Sequence, residues 1–184
     1  YETHIYPNPE IVDLEYLQHT ELELIPLIKT HIYKGIPRKM DETISSFKNC
    51  TIQVNHSSKF IDVYGGGRAV GTKISQWDWE LNNRNQRFTF SLIPESSNKG
   101  YFICECCGND KTIGVTGEIK AGSPLQVQDI DTKSKKQIFR LHFHCADGNN
   151  YWCTISSEPD TNLVWEIEDE GSKSNGKRLI LAPK

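Results

Sequence analysis

The stretch CTIQVNHSSKFIDVYGGGRAVGTKISQWDWELNNRNQRF, from Cys50 to Phe88, decides the fold of this chain. It contains an alternation of apolar and polar residues, a glycine turn and a second alternating segment that carries Trp77 and Trp79. A polar loop then leads into Gln86-Arg87-Phe88. Alternation with a period of two, broken by turns rich in Gly and Asn, is typical of short β-strands. The stretch therefore predicts a module of several short strands.

The same pattern recurs twice at intervals of about fifty residues, which indicates a repeat architecture. An apolar strand opens each copy at Cys50, Cys104 and Cys153. The matching segments are 59–63, 111–115 and 162–166, then 71–74, 122–125 and 176–179, then the Gln-x-Phe triplets 86–88 and 137–139. One copy cannot bury its own apolar face, so the copies are expected to share a core. The predicted core residues are Phe60, Ile74, Phe88, Thr112, Leu125, Phe139, Leu163 and Leu179.

The residues before the first copy carry different signals. Asn8 is a candidate N-cap and Pro9 a candidate first helical residue, so a short helix is predicted there. A strand is predicted near Ile28 to Gly35, between two prolines that cannot donate to a sheet. The third copy ends at Lys184 without its Gln-x-Phe strand, and this N-terminal strand could close it. A chain cut at its C-terminus is the alternative.

We therefore predict an N-terminal extension over residues 1–45, packed on or completing the repeats, and a repeat domain over residues 46–184. The formal net charge is -3 with scattered Lys and Arg, so neither nucleic acid nor a membrane surface is an expected partner. The sequence has no apolar run of about eighteen residues, so no membrane insertion is predicted. Because the chain starts at Tyr1 without Met, we expect a piece of a longer protein.

The three copies, each with a Gly-Thr-like strand, a polar loop and a Gln-x-aromatic triplet, resemble the ricin B-type β-trefoil lectins over residues 50–184. Gln-x-Phe stands where that family usually has Gln-x-Trp. The resemblance implies an all-β fold, a β-trefoil of three repeats. The alternating segments and frequent turns independently favour an all-β fold closed by internal symmetry.

The resemblance also implies a sugar site on a copy that holds an acid, a ring and an amide. The acid accepts hydrogen bonds from sugar hydroxyls, the ring stacks on the apolar face of the sugar, and the amide completes the hydroxyl contacts. In the first copy the candidate residues are Asp62, Trp77, Asn85, Gln86 and Gly65. Structural roles are the alternative: Asp62 could cap the glycine turn, Trp77 could lie in the core, and Asn85 and Gln86 could hold the loop.

Trp77 and Trp79 share a strand face if the period of two continues, and Ile74 takes the other face. With Ile74 in the core, both rings are expected to face outward. In the second copy, Gly114, Gln128 and Lys136 replace the acid, the ring and the amide. In the third copy, Trp165 aligns with the acid and Ala182 with the ring. A single site is therefore predicted, and strong binding would require several chains or modules.

Two clusters could suggest a metal, Cys104-Glu105-Cys106-Cys107 and His142-x-His144-Cys145. Neither supplies the two paired ligand sets of a structural zinc site, so no metal and no other cofactor is predicted. The open alternatives are buried thiols or a disulfide from the first cluster to Cys145 or Cys153. A catalytic cysteine–histidine pair would need a positioned cleft, so no enzymatic activity is expected.

Together these features predict a carbohydrate-binding module, a lectin, that recognises cell-surface glycans as part of a larger toxin or enzyme. The expected location is secreted or at the cell surface. The resemblance suggests galactose or N-acetylgalactosamine as the sugar. The alternatives are a protein-binding trefoil such as a protease inhibitor, inserting loop 93–100 or loop 169–176 into its partner, and a structural trefoil without a ligand.

Overall fold

The computed structural model describes residues 27–30, 46–93, 101–147, 150–158, 160, 162–169 and 171–184. These residues form a sheet of twelve strands and three short 3-10 helices. The strands are β1 Leu27–Thr30, β2 Ser46–Val54, β3 Phe60–Val63, β4 Ile74–Trp77, β5 Phe88–Leu92, β6 Tyr101–Cys106, β7 Lys111–Val115, β8 Leu125–Gln128, β9 Phe139–Asp147, β10 Asn150–Ser157, β11 Leu163–Ile167 and β12 Leu179–Pro183. The 3-10 helices are Tyr64–Gly66, Arg84–Gln86 and Lys135–Gln137. The predicted all-β fold is confirmed.

Three equivalent antiparallel hairpins, β3–β4, β7–β8 and β11–β12, give the molecule its threefold repeat. Equivalent cross-strand pairs are Val63 with Ile74, Val115 with Leu125, and Ile167 with Leu179. All six side chains are buried in one hydrophobic cluster. Aliphatic residues on the inner face of a hairpin are expected to pack in this way. Every core residue predicted from the sequence is buried.

The register of the third hairpin corrects the sequence alignment by one residue. Asp62 lies opposite Ser75, and the residue that holds the equivalent place in β11 is Glu166, opposite Ile180. Trp165, predicted at the acid position, instead lies opposite Leu181 and is buried against the core rings of Phe90 and Phe139. The third copy therefore keeps a carboxylate at the place of Asp62. The alignment of Ala182 with Trp77 agrees with the register, since each lies two residues beyond the partner of its acid.

The opening strands of the copies, β2, β6 and β10, are joined by the strands between them. The Gln-x-Phe strand β5 pairs antiparallel with β2 and β6, and its counterpart β9 pairs antiparallel with β6 and β10. Strand β1 pairs with β10 and β2, which is the place that a Gln-x-Phe strand of the third copy would take. Its direction differs, because β1 runs parallel to both neighbours.

The role of residues 1–45 in closing the repeats stays a prediction. The helix predicted at Asn8 and Pro9 lies outside the described residues, as does the predicted strand beyond Thr30. Among the residues that the structure describes, no helix has both the length and the apolar character needed to cross a membrane.

Each copy also extends a glycine loop onto the hairpin of the next copy. The backbone N–H of Gly71 donates to Val127 at 2.8 Å, that of Gly122 to Leu181 at 2.8 Å, and that of Gly176 to Gln76 at 2.8 Å. The last of these contacts returns from the third copy to the first. The loop of the third copy consequently lies along β4, beside the candidate site.

Candidate functional site

Hairpin β3–β4 places the candidate acid and ring on one face. Asp62 pairs with Ser75 and Phe60 pairs with Trp77, so Asp62 and Trp77 are diagonal neighbours. Diagonal neighbours lie within reach of an aromatic side chain, at about 7 to 8 Å. Ile74 is fully buried and points to the opposite face, toward the core. The geometry thus brings together the two residues on which the predicted site depends most.

Asp62 is only 5% exposed, although it is charged in its ordinary state. Burial raises the pKa of its carboxyl to about 6, an effect opposed by the Gln86 amide and increased by the negative charge of Glu80. The carboxyl is therefore ionised at neutral pH and can accept hydrogen bonds. Directly opposite it, the buried hydroxyl of Ser75 has no hydrogen-bond partner within the described part of the chain.

The ring of Trp77 is half-buried and stands edge-on to Tyr64, with ring centroids 6.1 Å apart and an interplanar angle of 75°. Tyr64 is 47% exposed, and the Lys73 ammonium lies 4.0 Å from the centroid of its ring. Sequence reasoning missed Tyr64. The available signal was an aromatic residue two positions after the acid and directly before three glycines.

Trp79 was predicted to face outward together with Trp77, and both rings are half-buried. Its ring packs on Phe60 with centroids 4.7 Å apart, and the guanidinium of Arg87 lies 4.5 Å from its centroid. Phe60 is the cross-strand partner of Trp77, so Trp79 packs against a residue of the candidate face, just beyond the end of β4. The outward direction of Trp79 stays a prediction.

Gln86 and Asn85 lie in the 3-10 helix Arg84–Gln86. The buried amide of Gln86 donates to the Asp78 carbonyl at 2.7 Å and accepts from the Glu80 N–H at 3.0 Å, so it closes the loop that follows β4. Gln86 therefore holds the loop, which is the structural role considered above. Its side chain also hydrogen-bonds to Asp62.

Asn85 is half-buried beside the glycine turn. A Cβ atom on Gly66, where φ is 65°, would lie 2.9 Å from Asn85 Nδ2, so the amide needs a glycine at this place. Gly65 is exposed with a φ of 60°, and a Cβ there would meet nothing within 4 Å. The turn therefore packs against Asn85 through Gly66, while Gly65 borders open space.

In the second copy a glutamine side chain occupies the place that corresponds to the acid. A Cβ on Gly114 would lie 2.2 Å from Gln128 Oε1, which shows that Gln128 occupies the space beside the missing acid. Its amide is held there, because Nε2 donates to the Val115 carbonyl at 3.0 Å and Oε1 accepts from Gln137 at 3.1 Å. This arrangement leaves no acid and no ring for a ligand.

The third copy has an acid without a ring. Glu166 Oε1 accepts from the N–H of Ile167 at 3.0 Å and lies 3.8 Å from His56 Nδ1. Ala182 takes the place of Trp77. The combination of acid, ring and amide is therefore found in the first copy.

The cysteine and histidine clusters have ordinary structural partners. Cys50, Cys104, Cys106 and Cys153 are buried free thiols, and Cys107 is a half-buried free thiol. His142 and His144 each contact a hydroxyl across the β9–β10 pair at 2.8 Å, on Ser156 and Thr154. No group of three potential metal ligands occurs within the ranges that the structure describes. Of the two alternatives for the first cluster, the structure shows thiols.

The fold and its threefold hairpins define a β-trefoil protein. Its structural neighbours include ricin B-type lectins, while no family model and no curated protein sequence matches the chain. The C-half of an earthworm R-type lectin, solved with GalNAc, has a TM-score of 0.54 and 20% identity over 74% of this chain and 89% of its own. A ricin B-like lectin from Macrolepiota procera, solved with lactose, has a TM-score of 0.54 and 17% identity over 80% of this chain and 91% of its own.

A third similar structure is an enzyme, the exo-beta-1,3-galactanase 1,3Gal43A from Clostridium thermocellum. It has a TM-score of 0.60 and 17% identity over 79% of this chain, but only 28% of the enzyme is covered. At these low identities, the TM-scores show a shared fold alone.

Proposed function

We propose that this chain is a carbohydrate-binding module with a single sugar site on its first copy. The observation that carries the proposal is the placement of a buried, ionisable Asp62 on the same hairpin face as Trp77, whose ring stands edge-on to that of Tyr64. In the second copy Gln128 occupies the place of the acid, and the third copy has no ring at the place of Trp77.

The chemistry of a sugar explains why these groups are useful together. An ionised carboxylate accepts hydrogen bonds from two hydroxyls and makes them stronger than neutral acceptors would. A flat ring covers the weakly apolar C–H face of the sugar. Asp62 and Trp77 take these two roles in the proposal, with Asn85 and the turn at Gly65 on the side toward the hydroxyls, and Gln86 orients the acid. Two structural neighbours hold GalNAc and lactose, so we propose a galactose-type sugar.

We further propose that the module targets a larger toxin or enzyme to glycans outside the cell or at its surface. A fold of this kind accounts for 28% of the length of the similar galactanase, which supports its use as one part of a longer protein. None of the roles proposed above for the described residues involves catalysis, so we propose binding alone.

A binding assay tests this function. Titration calorimetry with N-acetylgalactosamine and lactose, together with a glycan array, should show one site per chain. Asp62→Ala and Trp77→Ala should each reduce affinity by at least tenfold, about 1.4 kcal/mol. Glu118→Gln is a matched control, because it removes an exposed carboxylate in the second copy. A folded chain that binds no glycan on the array would refute the proposal.

The protein-binding alternative finds less support. Loop 169–176, considered for insertion into a partner, is hydrogen-bonded to the first copy through Ser172 and Gly176. These contacts place the loop beside Trp77, so we assign it to the sugar site and not to a partner's cleft. Loop 93–100 lies outside the described residues apart from Ile93.

A further inference from the structure

Gln76 is a buried amide at a place where the fold uses apolar residues. It is 0% exposed, and the residues at the equivalent positions of the other copies are Val127 and Leu181, each also 0% exposed. Burying an amide is unfavourable unless its polar atoms are hydrogen-bonded. Since an aliphatic side chain serves the core in two copies, the amide in the first copy calls for another explanation.

The hydrogen bonds of Gln76 lead to the loop of the third copy. Its Nε2 donates to the carbonyls of Ser172 and Ser174, both at 2.9 Å. Its Oε1 accepts from the hydroxyl of Ser57 at 2.7 Å. Both N–H donors are thus used on one loop, which lies about a hundred residues away along the chain. The amide fastens this loop to hairpin β3–β4.

The fastened loop borders the aromatic pair of the candidate site. A Cβ on Gly176 would lie 3.6 Å from Trp77 Cζ3 and 3.7 Å from Tyr64 Cε2, so the loop backbone packs against both rings. The Lys73 ammonium, which lies over Tyr64, donates to the Gly176 carbonyl at 2.9 Å. The exposed amide of Asn175 reaches Asp78, the residue after Trp77, at 2.7 Å.

The other copies show what the loop contact looks like without such an amide. Their glycine loops pair with Val127 and Leu181 through backbone hydrogen bonds alone at these two positions. Neither copy has both an acid and a ring at the places of Asp62 and Trp77. The additional hydrogen bonds therefore occur at the copy that carries the candidate site.

We propose that Gln76 is a positioning residue for the sugar site, and that the third-copy loop 172–177 forms one wall of that site. The inference rests on the proposed function and deepens it, because the site becomes composite between the first and third copies. Gln76 holds the loop, the loop holds the rings of Trp77 and Tyr64, and the sugar stacks on the surface so formed.

The test is Gln76→Leu, which installs the residue of the third copy. The variant should unfold cooperatively at a temperature near that of the parent, since leucine fits this position elsewhere in the molecule. Its affinity for lactose, measured by titration calorimetry, should fall at least tenfold. Leu181→Val, a change at the equivalent position of the third copy, should leave lactose affinity within twofold. Gln76→Leu binding lactose within twofold of the parent would overturn the inference.

Fluorescence separates positioning from a purely structural role. The difference in emission between the parent and Trp77→Phe reports the environment of Trp77. In the Gln76→Leu background the Trp77 contribution should shift to longer wavelength, because the loop no longer covers the ring. Lost lactose binding with an unshifted Trp77 contribution would also overturn the inference.

Two further outcomes keep the inference and the proposed function distinguishable. If Asp62→Ala abolishes lactose binding but Gln76→Leu does not weaken it, only the inference fails; if the parent binds neither lactose nor N-acetylgalactosamine, both fail. Should Gln76→Leu not fold, Ser57→Ala removes one of the three hydrogen bonds and should weaken lactose binding by about threefold to tenfold. Unchanged lactose affinity in Ser57→Ala would then count against the inference.

Discussion

Replacing Asp62 by asparagine should stabilise the fold and weaken sugar binding. The carboxyl has a pKa of about 6 in the folded chain against an ordinary value of 3.8, because burial disfavours its charged form. The folded state therefore holds a proton more tightly than the unfolded state does. Stability must fall as pH rises from 3.8 to about 6, and it stays lower at neutral pH.

The size of this effect follows from the pKa difference. The interval between 3.8 and about 6 corresponds to about 3 kcal/mol, at 1.36 kcal/mol for each pH unit. Asparagine keeps the shape of the side chain without the charge, so Asp62→Asn should raise the free energy of unfolding at pH 7.5 by about 1 to 3 kcal/mol. Near pH 3 the two proteins should be equally stable, since Asp62 is then protonated in both states.

Urea unfolding between pH 3 and pH 8 measures the difference, and Glu118→Gln serves as the control for removing an exposed carboxylate. Lactose binding provides the second measurement. The parent should lose affinity as pH falls through about 6, because protonation removes an ionised acceptor, whereas the variant should bind weakly throughout. If Asp62→Asn were less stable than the parent at pH 7.5, the carboxylate would be a structural cap of the glycine turn and the reasoning would be wrong.

Three further predictions concern other parts of the chain. Gly114→Asp combined with Gln128→Trp should raise the number of sugars bound per chain from one to two in calorimetry, because it restores an acid and a ring and removes the amide that occupies the place of the acid. A folded variant that binds one sugar would contradict this. Ile28→Pro should lower the free energy of unfolding by about 2 kcal/mol, since proline cannot donate within β1, and unchanged stability in urea would show that β1 is dispensable. Burial raises the pKa of the Cys106 thiol to about 12, so iodoacetamide at pH 7.5 should modify Cys107 before Cys106 in mass spectra. Earlier modification of Cys106 would contradict its assignment as a buried thiol.

The repeated sequence features predicted the fold because each of them reflects a local structural requirement. Alternation identified β3 and β7, and the glycines before β4, β8 and β12 lie at positive φ, where other residues are strained. The shared core followed from the need to bury one face of each hairpin. These requirements are visible in a sequence without knowledge of which strands pair.

The strand register of the third hairpin, β11–β12, could not be predicted from such local features. Leu163, Val164 and Trp165 are three apolar residues in succession, so no alternation fixes which of them faces the core. The pairing of β11 with β12 fixes it, and thereby places Glu166 rather than Trp165 at the acid position.

The candidate site was only partly predictable for a different physical reason. Asp62 and Trp77 lie on one hairpin, and hairpin periodicity is sufficient to place them on one face. Tyr64 lies in an irregular turn, and Gln76 acts through a loop that is distant in the sequence. No local pattern reports such contacts, which depend on how the copies meet.

The cyclic order in which each glycine loop reaches the following hairpin has a consequence for how such a protein can diversify. A change in the length or composition of loop 172–177 would alter the surroundings of Trp77 without any substitution in the first copy. Ligand preference could therefore drift through residues that a comparison of binding motifs would overlook. Grafting the first copy alone into another trefoil would transfer the acid and the rings but leave their neighbour behind.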